Sequence, residues 1–209
     1  MKYSAETQQS LQFFGTISAS VSHEIKNVFA VINEGAGLLS DLALMVEKGV
    51  PVDPERLTRA AATIQGQVQR GDAIVRNMNR FSHSTDDAVQ EVNLCDIAEL
   101  TVSLTRRMAD MKQIQLQLEC ADPVMVQAAP FFLIRLIHEI IACLMEAVES
   151  GGTLVVTTGE KDGVGDMTFS VPGQTVALMN EANPGQLAHD MGLSLTTDKH
   201  AKTLNLRFR

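Results

Sequence analysis

The sequence is poor in aromatic side chains and in cysteine. Its 209 residues include no Trp, one Tyr, eight Phe and three Cys, and no two cysteines form a Cys-x-x-Cys pair. The shortage of aromatic residues argues against an all-β sandwich. The few and widely spaced cysteines argue against a disulfide-built secreted domain and against a zinc site. We therefore expect Cys95, Cys120 and Cys143 to be reduced core thiols in a cytoplasmic protein.

Long apolar runs and an excess of positive charge are also missing. The sequence has no run of about 18 uninterrupted apolar residues and no apolar secretory segment at its N-terminus, so it predicts no membrane contact. Acidic residues outnumber basic ones by 25 to 17. Because the neutralisation of nucleic-acid phosphates needs clustered Lys and Arg, this balance argues against a nucleic-acid partner. The apolar share of 45% is typical of a folded soluble protein.

The first 90 residues carry a long heptad pattern. From Leu11 to Val46, nine of the eleven positions spaced alternately by three and four residues are apolar, which predicts one long helix. Gly49-Val50-Pro51 predicts its end. Asp53 followed by Pro54 predicts the start of a second helix, whose apolar pattern fades between Phe81 and Asp87.

A hairpin of two such helices predicts a homodimer. Two antiparallel amphipathic helices cannot bury both apolar stripes by themselves, and a four-helix bundle is the usual solution. In the alternative arrangement the hairpin packs against the rest of its own chain. The regularity of the heptad seam favours the dimer.

The pattern changes after a polar stretch, Ser82 to Glu91, which predicts a linker. Alternating polar and apolar residues beyond it predict strands, and longer apolar stretches predict helices. The predicted helices cover 93–111 and 131–148, and the predicted strands cover 114–120, 124–126, 153–158, 167–171 and 204–208. The predicted fold class is therefore α+β, with a helical hairpin in 1–91 and a small α/β sandwich in 92–209.

One segment of the first helix carries residues suited to chemistry, Ser22-His23-Glu24-Ile25-Lys26-Asn27. In the heptad register His23 falls at the most solvent-exposed position. Asn27 lies one turn further on the same face, and Lys26 lies three residues on. Glu24 lies about 100° around the helix from His23. An exposed helical histidine is usually just a solvated residue, and these neighbours are what favour a functional site.

The segment His23-Glu-Ile-Lys-Asn27, followed by Ala30-Val-Ile32, resembles the H-box of sensor histidine kinases. In that family the motif lies on the first helix of a dimeric hairpin, the dimerisation and phosphotransfer domain. The resemblance implies that His23 accepts a phosphoryl group, with Glu24 orienting the ring and accepting a proton. It also implies that Asn27 helps to position water for phosphatase action. Lys26 could offset phosphate charge.

The second half resembles the Bergerat-type ATP-binding domain of the same family. Glu139 and Cys143 stand where the family carries Asn residues that serve magnesium and phosphates, and cysteine is a poor magnesium ligand. The expected Asp-x-Gly-x-Gly is replaced by Val171-Pro-Gly-Gln-Thr175, and the second glycine box is reduced to Met191-Gly-Leu-Ser-Leu195. We expect a degenerate domain that binds neither ATP nor a metal, with Glu139 and Cys143 as packed helix residues.

The resemblance leaves three functions open. The leading one is a histidine phosphotransferase of two-component signalling, in which His23 exchanges a phosphoryl group with the Asp of a response-regulator receiver domain. The receiver would bring its own magnesium, so the chain itself would need no cofactor. The alternatives are an ATP-dependent histidine kinase with a divergent pocket and a non-catalytic pseudokinase scaffold that regulates a kinase or receiver.

Overall fold

A computed structural model describes residues 4–86, 88–121, 123–173, 184–198 and 203–208. The chain forms two compact units, 1–79 and 80–209. The helices are α1 (Ala5–Glu47), α2 (Pro54–His83), α3 (Leu94–Met111), α4 (Pro130–Met145) and α5 (Pro184–Asp190). The strands are β1 (Gln90–Asn93), β2 (Gln115–Cys120), β3 (Met125–Ala128), β4 (Thr153–Lys161), β5 (Val164–Ser170), β6 (Ser194–Asp198) and β7 (Thr203–Arg207). The predicted α+β class, a long helix pair followed by a small sheet domain, is confirmed.

The ends of α1 and α2 follow the local sequence signals. The side chain of Ser4 accepts a hydrogen bond from the backbone N–H of Thr7 and so caps the start of α1. Gly49 adopts a φ of 75°, which ends the helix at the predicted place. The carboxylate of Asp53 accepts the N–H of Glu55 at 2.9 Å and caps α2.

Two glycines let α1 and α2 approach each other closely. A Cβ at Gly35 would lie 2.8 Å from Cγ1 of Ile64, and a Cβ at Gly71 would lie 3.2 Å from Cγ1 of Val28. Heavy atoms so near leave no room for a larger side chain unless a neighbour shifts. These two contacts fix the register of the helical pair on which the candidate site lies.

The helix α1 is long and apolar enough to cross a membrane when only length and composition are considered. Its most apolar 18-residue window has a mean hydropathy of 1.4, and 11% of that window is buried. A single helix of this kind is weak evidence, because the core helix of a soluble protein passes the same test.

The second unit is built on a five-stranded mixed sheet in the order β2-β4-β5-β7-β6, in which only β2 and β4 run parallel. Alternate residues of the central strands are buried, as expected for a sheet covered on one face. Helix α3 packs on β2 and β4, and α4 packs beside α3. Between β4 and β5, Asp162 and Gly163 both have positive φ, as a two-residue hairpin turn requires.

The interpretation of Ser82–Glu91 as a linker is wrong at both of its ends. Helix α2 continues to His83, and β1 begins at Gln90 and pairs with β3. Phe81 is fully buried and packs against Phe131 with ring centroids 5.9 Å apart, so the last turn of α2 belongs to the core of the second unit. The residues described between these two elements are exposed except Ser84, which is buried and donates from its Oγ to the carbonyl oxygen of Phe81 at 2.6 Å.

The prediction of three reduced thiols is also wrong for two of them. Cys95 and Cys120 form a disulfide with their Cα atoms 5.7 Å apart, and Cys143 is free. The sequence separation of 25 between the paired cysteines conceals their proximity, because α3 leaves the sheet edge and β2 returns to it. Since disulfides are rare in the cytosol, the cytoplasmic location stays a prediction.

A buried histidine makes the second unit sensitive to acid. Nδ1 of His138 on α4 lies 3.0 Å from Oγ1 of Thr105 on α3, and burial lowers the pKa of His138 to about 4. The unfolded chain, with an ordinary histidine pKa of 6.5, binds a proton at higher pH than the folded chain does. Stability is therefore lost as pH falls from 6.5 to about 4.

We expect the substitution His138→Asn to remove this acid sensitivity while keeping a polar atom beside Thr105. The histidine accounts for about 3 kcal/mol of the stability lost over this pH range, at 1.36 kcal/mol per pKa unit. Urea unfolding of both proteins at pH 7 and pH 4.5 measures the difference. Equal acid sensitivity in the two proteins would contradict the assignment to His138.

Candidate functional site

The segment of residues 22–27, which resembles an H-box, lies near the middle of α1 as part of a continuous helix. His23, Lys26 and Asn27 are exposed, as the heptad register predicts. A histidine held on a rigid helix with its ring in solvent is accessible to a partner protein, and its backbone position is fixed by the helix.

Glu24 differs from its neighbours because its side chain turns toward α2. It is 17% exposed, and its Oε2 lies 4.0 Å from Nη2 of Arg70, whose side chain is 57% exposed. Arg70 was not among the residues predicted for the site. The contact joins residues far apart in the sequence, so only the register of α1 against α2 reveals it.

The hairpin presents two different faces beside the seam where Val28 meets Gly71. At about 100° per residue, helix geometry places two sets of exposed residues on opposite sides of this seam. We call the first set the acceptor face, after the role that the sequence predicts for His23, and it consists of His23, Glu24, Asn27 and Arg70. The apolar face lies on the other side of the seam and consists of Leu11, Phe29, Leu57, Val68 and Val75. His23 and the apolar face thus lie on opposite sides of this seam.

In the second unit, Glu139 is engaged by a buried arginine one helical turn earlier. Nε of Arg135 donates to Oε1 of Glu139 at 2.7 Å, and Arg135 is 5% exposed. The second carboxylate oxygen, Oε2, is buried without a hydrogen-bond partner in the described part of the chain. Cys143, one turn further on, is a half-buried free thiol. The carboxylate of Glu139, which is already paired with arginine, and the thiol of Cys143 together form a poor donor set for magnesium.

The two segments compared with glycine boxes have ordinary structural roles where the structure describes them. Val171 is buried at the end of β5, and Pro172 and Gly173 form a turn, whereas Gln174 and Thr175 lie outside the described residues. Gly192 has a φ of 71° in the turn after α5. Ser194 and Leu195 begin β6. The sequence pattern does not predict this strand, because it is short.

The described residues contain no cluster of three or more His, Cys, Asp or Glu side chains that could hold a metal ion. The exposed histidines at the ends of α2 and α5 each lie near one aspartate, Asp86 for His83 and Asp190 for His189. Single pairs of this kind do not form a metal site.

No family model matches the chain, and the search of curated proteins finds no match either. Solved structures do show similarity. A bacterial phosphotransferase matches over 100% of this chain and 98% of its own, with 16% identity and a TM-score of 0.49. The histidine kinase ThkA, in a complex with the response regulator TrrA, matches over 96% and 62%, with 17% identity and a TM-score of 0.49.

A third structure, the histidine kinase AdeS from Acinetobacter baumannii, matches over 83% of this chain and 94% of its own, with 10% identity and a TM-score of 0.46. These three similar structures are thus two histidine kinases and a phosphotransferase.

Proposed function

We propose that the protein is a histidine phosphotransferase of two-component signalling. It passes a phosphoryl group between His23 and the aspartate of a receiver domain, without using ATP. The observation that carries this proposal is the exposed His23 within an H-box-like segment on a long rigid helix. A receiver domain must reach the ring directly, and the exposure of His23 permits this.

The transfer reaction is balanced without an additional cofactor on this chain. A neutral imidazole nitrogen of His23 attacks the phosphorus of the aspartyl phosphate, and an N–P bond forms as the P–O bond breaks. The electron pair of the broken bond stays on the aspartate, which leaves as a carboxylate. The other ring nitrogen then releases its proton, with Glu24 as the acceptor that the H-box resemblance implies. Magnesium belongs to the receiver in this scheme.

Asn27 has a separate role in the proposal. It lies one helical turn from His23 on the same face, where its amide can hold a water molecule near the phosphoryl group. The resemblance to the H-box supports a part for this residue in dephosphorylation. It is not needed for the transfer itself.

We propose further that the apolar face is the interface of a homodimer. Val68 and Val75 lie seven residues apart on α2 and are 55% and 48% exposed, and Phe29 on α1 is 64% exposed. A repeated apolar stripe of this kind on a helical pair is buried in a four-helix bundle. Such a dimer leaves the acceptor face open to a receiver on each copy.

The absence of ATP use rests on the chemistry of the second unit. The buried Arg135 donates a hydrogen bond to Glu139. Cys143 stands where the kinase family carries a second residue with an oxygen or amide ligand. These residues supply little of what a magnesium-bound triphosphate requires. The alternatives are a kinase that keeps a divergent ATP site and a scaffold that binds its partner without phosphorylation.

We expect magnesium-ATP to leave the melting temperature of the full chain unchanged. A nucleotide that binds the folded state at 100 times its Kd adds about 2.7 kcal/mol of stability, which a thermal melt detects easily. The melt is measured with millimolar magnesium-ATP and with magnesium alone as the control. A saturable rise in melting temperature with ATP would favour the kinase over the phosphotransferase.

A further inference from the structure

We propose that Arg70 is the phosphoryl-binding cation of the His23 site and that Glu24 holds it there. This inference rests on the proposed function, because it assigns a residue to the same reaction. It also extends the site from one helix to two, since Arg70 lies on α2 and the H-box lies on α1.

The contact between Glu24 and Arg70 places a guanidinium against the carboxylate that follows His23 in the chain. Nη2 of Arg70 lies 4.0 Å from Oε2 of Glu24, and Glu24 is the residue next to His23 in the chain. Helix geometry puts Arg70 on the acceptor face rather than on the apolar face. Its side chain is 57% exposed, so a partner protein bound on this face can reach it.

Phosphoryl transfer creates a need for such a cation. The transition state spreads negative charge over three equatorial oxygens, and catalysis depends on positioning and on electrostatic stabilisation of that charge. A guanidinium binds phosphate oxygens in a bidentate manner and stays charged at all relevant pH values. Lys26 is a second cation near His23, but an ammonium group is a point charge and does not match two oxygens at once.

A purely structural role does not account for the pair. An ion pair between partly exposed groups at 4.0 Å contributes little to stability, typically below about 1 kcal/mol. The close packing of α1 on α2 is provided instead by the contacts at Gly35 and Gly71. Replacing Arg70 should therefore leave the fold intact and change the chemistry.

The test uses two phosphodonors on the full chain. One is a receiver domain phosphorylated on its aspartate, and the other is potassium phosphoramidate. In the reaction with phosphoramidate the P–N bond breaks, ammonia leaves and the N–P bond to His23 forms, without any protein partner. A phosphoryl-binding residue affects both reactions, whereas a residue that only docks the receiver affects one.

We expect Arg70→Gln to slow labelling of His23 about 10-fold or more with both donors, and Arg70→Lys to recover part of the rate. The matched control is Arg76→Gln, an exposed arginine on the same helix that pairs with Asp72. The control should label at the wild-type rate. Circular dichroism should show the same helix content and melting temperature in all three variants.

The outcomes separate this inference from the proposed function. If wild type is labelled by both donors and Arg70→Gln is labelled equally fast, the role of Arg70 is wrong and the phosphotransferase stands. If Arg70→Gln loses only the reaction with the receiver, Arg70 is a docking residue and the inference is again wrong. If wild type accepts no phosphoryl group from either donor, the proposed function fails, and the inference fails with it.

Discussion

Replacing His23 with glutamine is expected to abolish labelling by a phosphorylated receiver domain. Glutamine keeps a polar side chain on α1 but offers no nucleophilic nitrogen, and removal of a nucleophile costs an enzyme many orders of magnitude in rate. Because His23 is exposed in the middle of a helix, the stability of the fold should change by less than about 0.5 kcal/mol. Radiolabel on the protein, resolved by electrophoresis under conditions that preserve phosphohistidine, measures the loss.

His83→Gln is the matched control for this experiment. His83 is also an exposed histidine on a helix, at the last residue of α2, and its side chain is 78% exposed. The control should be labelled at the wild-type level. Persistent labelling of His23→Gln would show that the acceptor lies elsewhere, and equal loss in the control would show that the effect is not specific to the H-box.

The second large effect is expected from charges on the apolar face. The double substitution Val68→Glu with Val75→Glu would place four carboxylates, two from each copy, in the interface of the proposed dimer. Burying unpaired charges costs several kcal/mol for each one. We expect the variant to be monomeric at concentrations where the wild type is dimeric.

Light scattering coupled to gel filtration measures this change directly. The chain mass is 22.7 kDa, so the wild type should run at about twice this mass and the variant at about this mass. Val50→Glu is the control, because Val50 lies in the connection between α1 and α2 and is 43% exposed. A monomeric wild type, or a variant that still dimerises, would contradict the proposed interface.

Local patterns in the sequence predicted the parts of the fold that local interactions determine. The heptad spacing predicted α1, and Gly49 and Asp53 predicted the ends of the two helices, because caps and breaks depend on a few neighbouring residues. The exposure of His23 followed from the same register. Short elements such as β1 and α5 were missed, since a few residues carry too little periodicity to be recognised.

The pairs that the sequence did not reveal are those that the fold brings together from distant positions. The disulfide between Cys95 and Cys120 depends on the path of α3 and β2, and the contact between Glu24 and Arg70 depends on the register of two antiparallel helices. No spacing rule along the chain encodes either pair. Arg135 is different, because its position four residues before Glu139 on one helix is a local signal for an ion pair.

In the proposed function, His23 exchanges phosphoryl groups with a receiver domain and takes none from ATP. The most direct test incubates the full chain with radiolabelled ATP and, separately, with a panel of radiolabelled phosphorylated receiver domains from its own genome. We predict that at least one receiver transfers its label to His23 within minutes and that ATP transfers none. Labelling by ATP, or no labelling by any receiver of the panel, would contradict the proposed function.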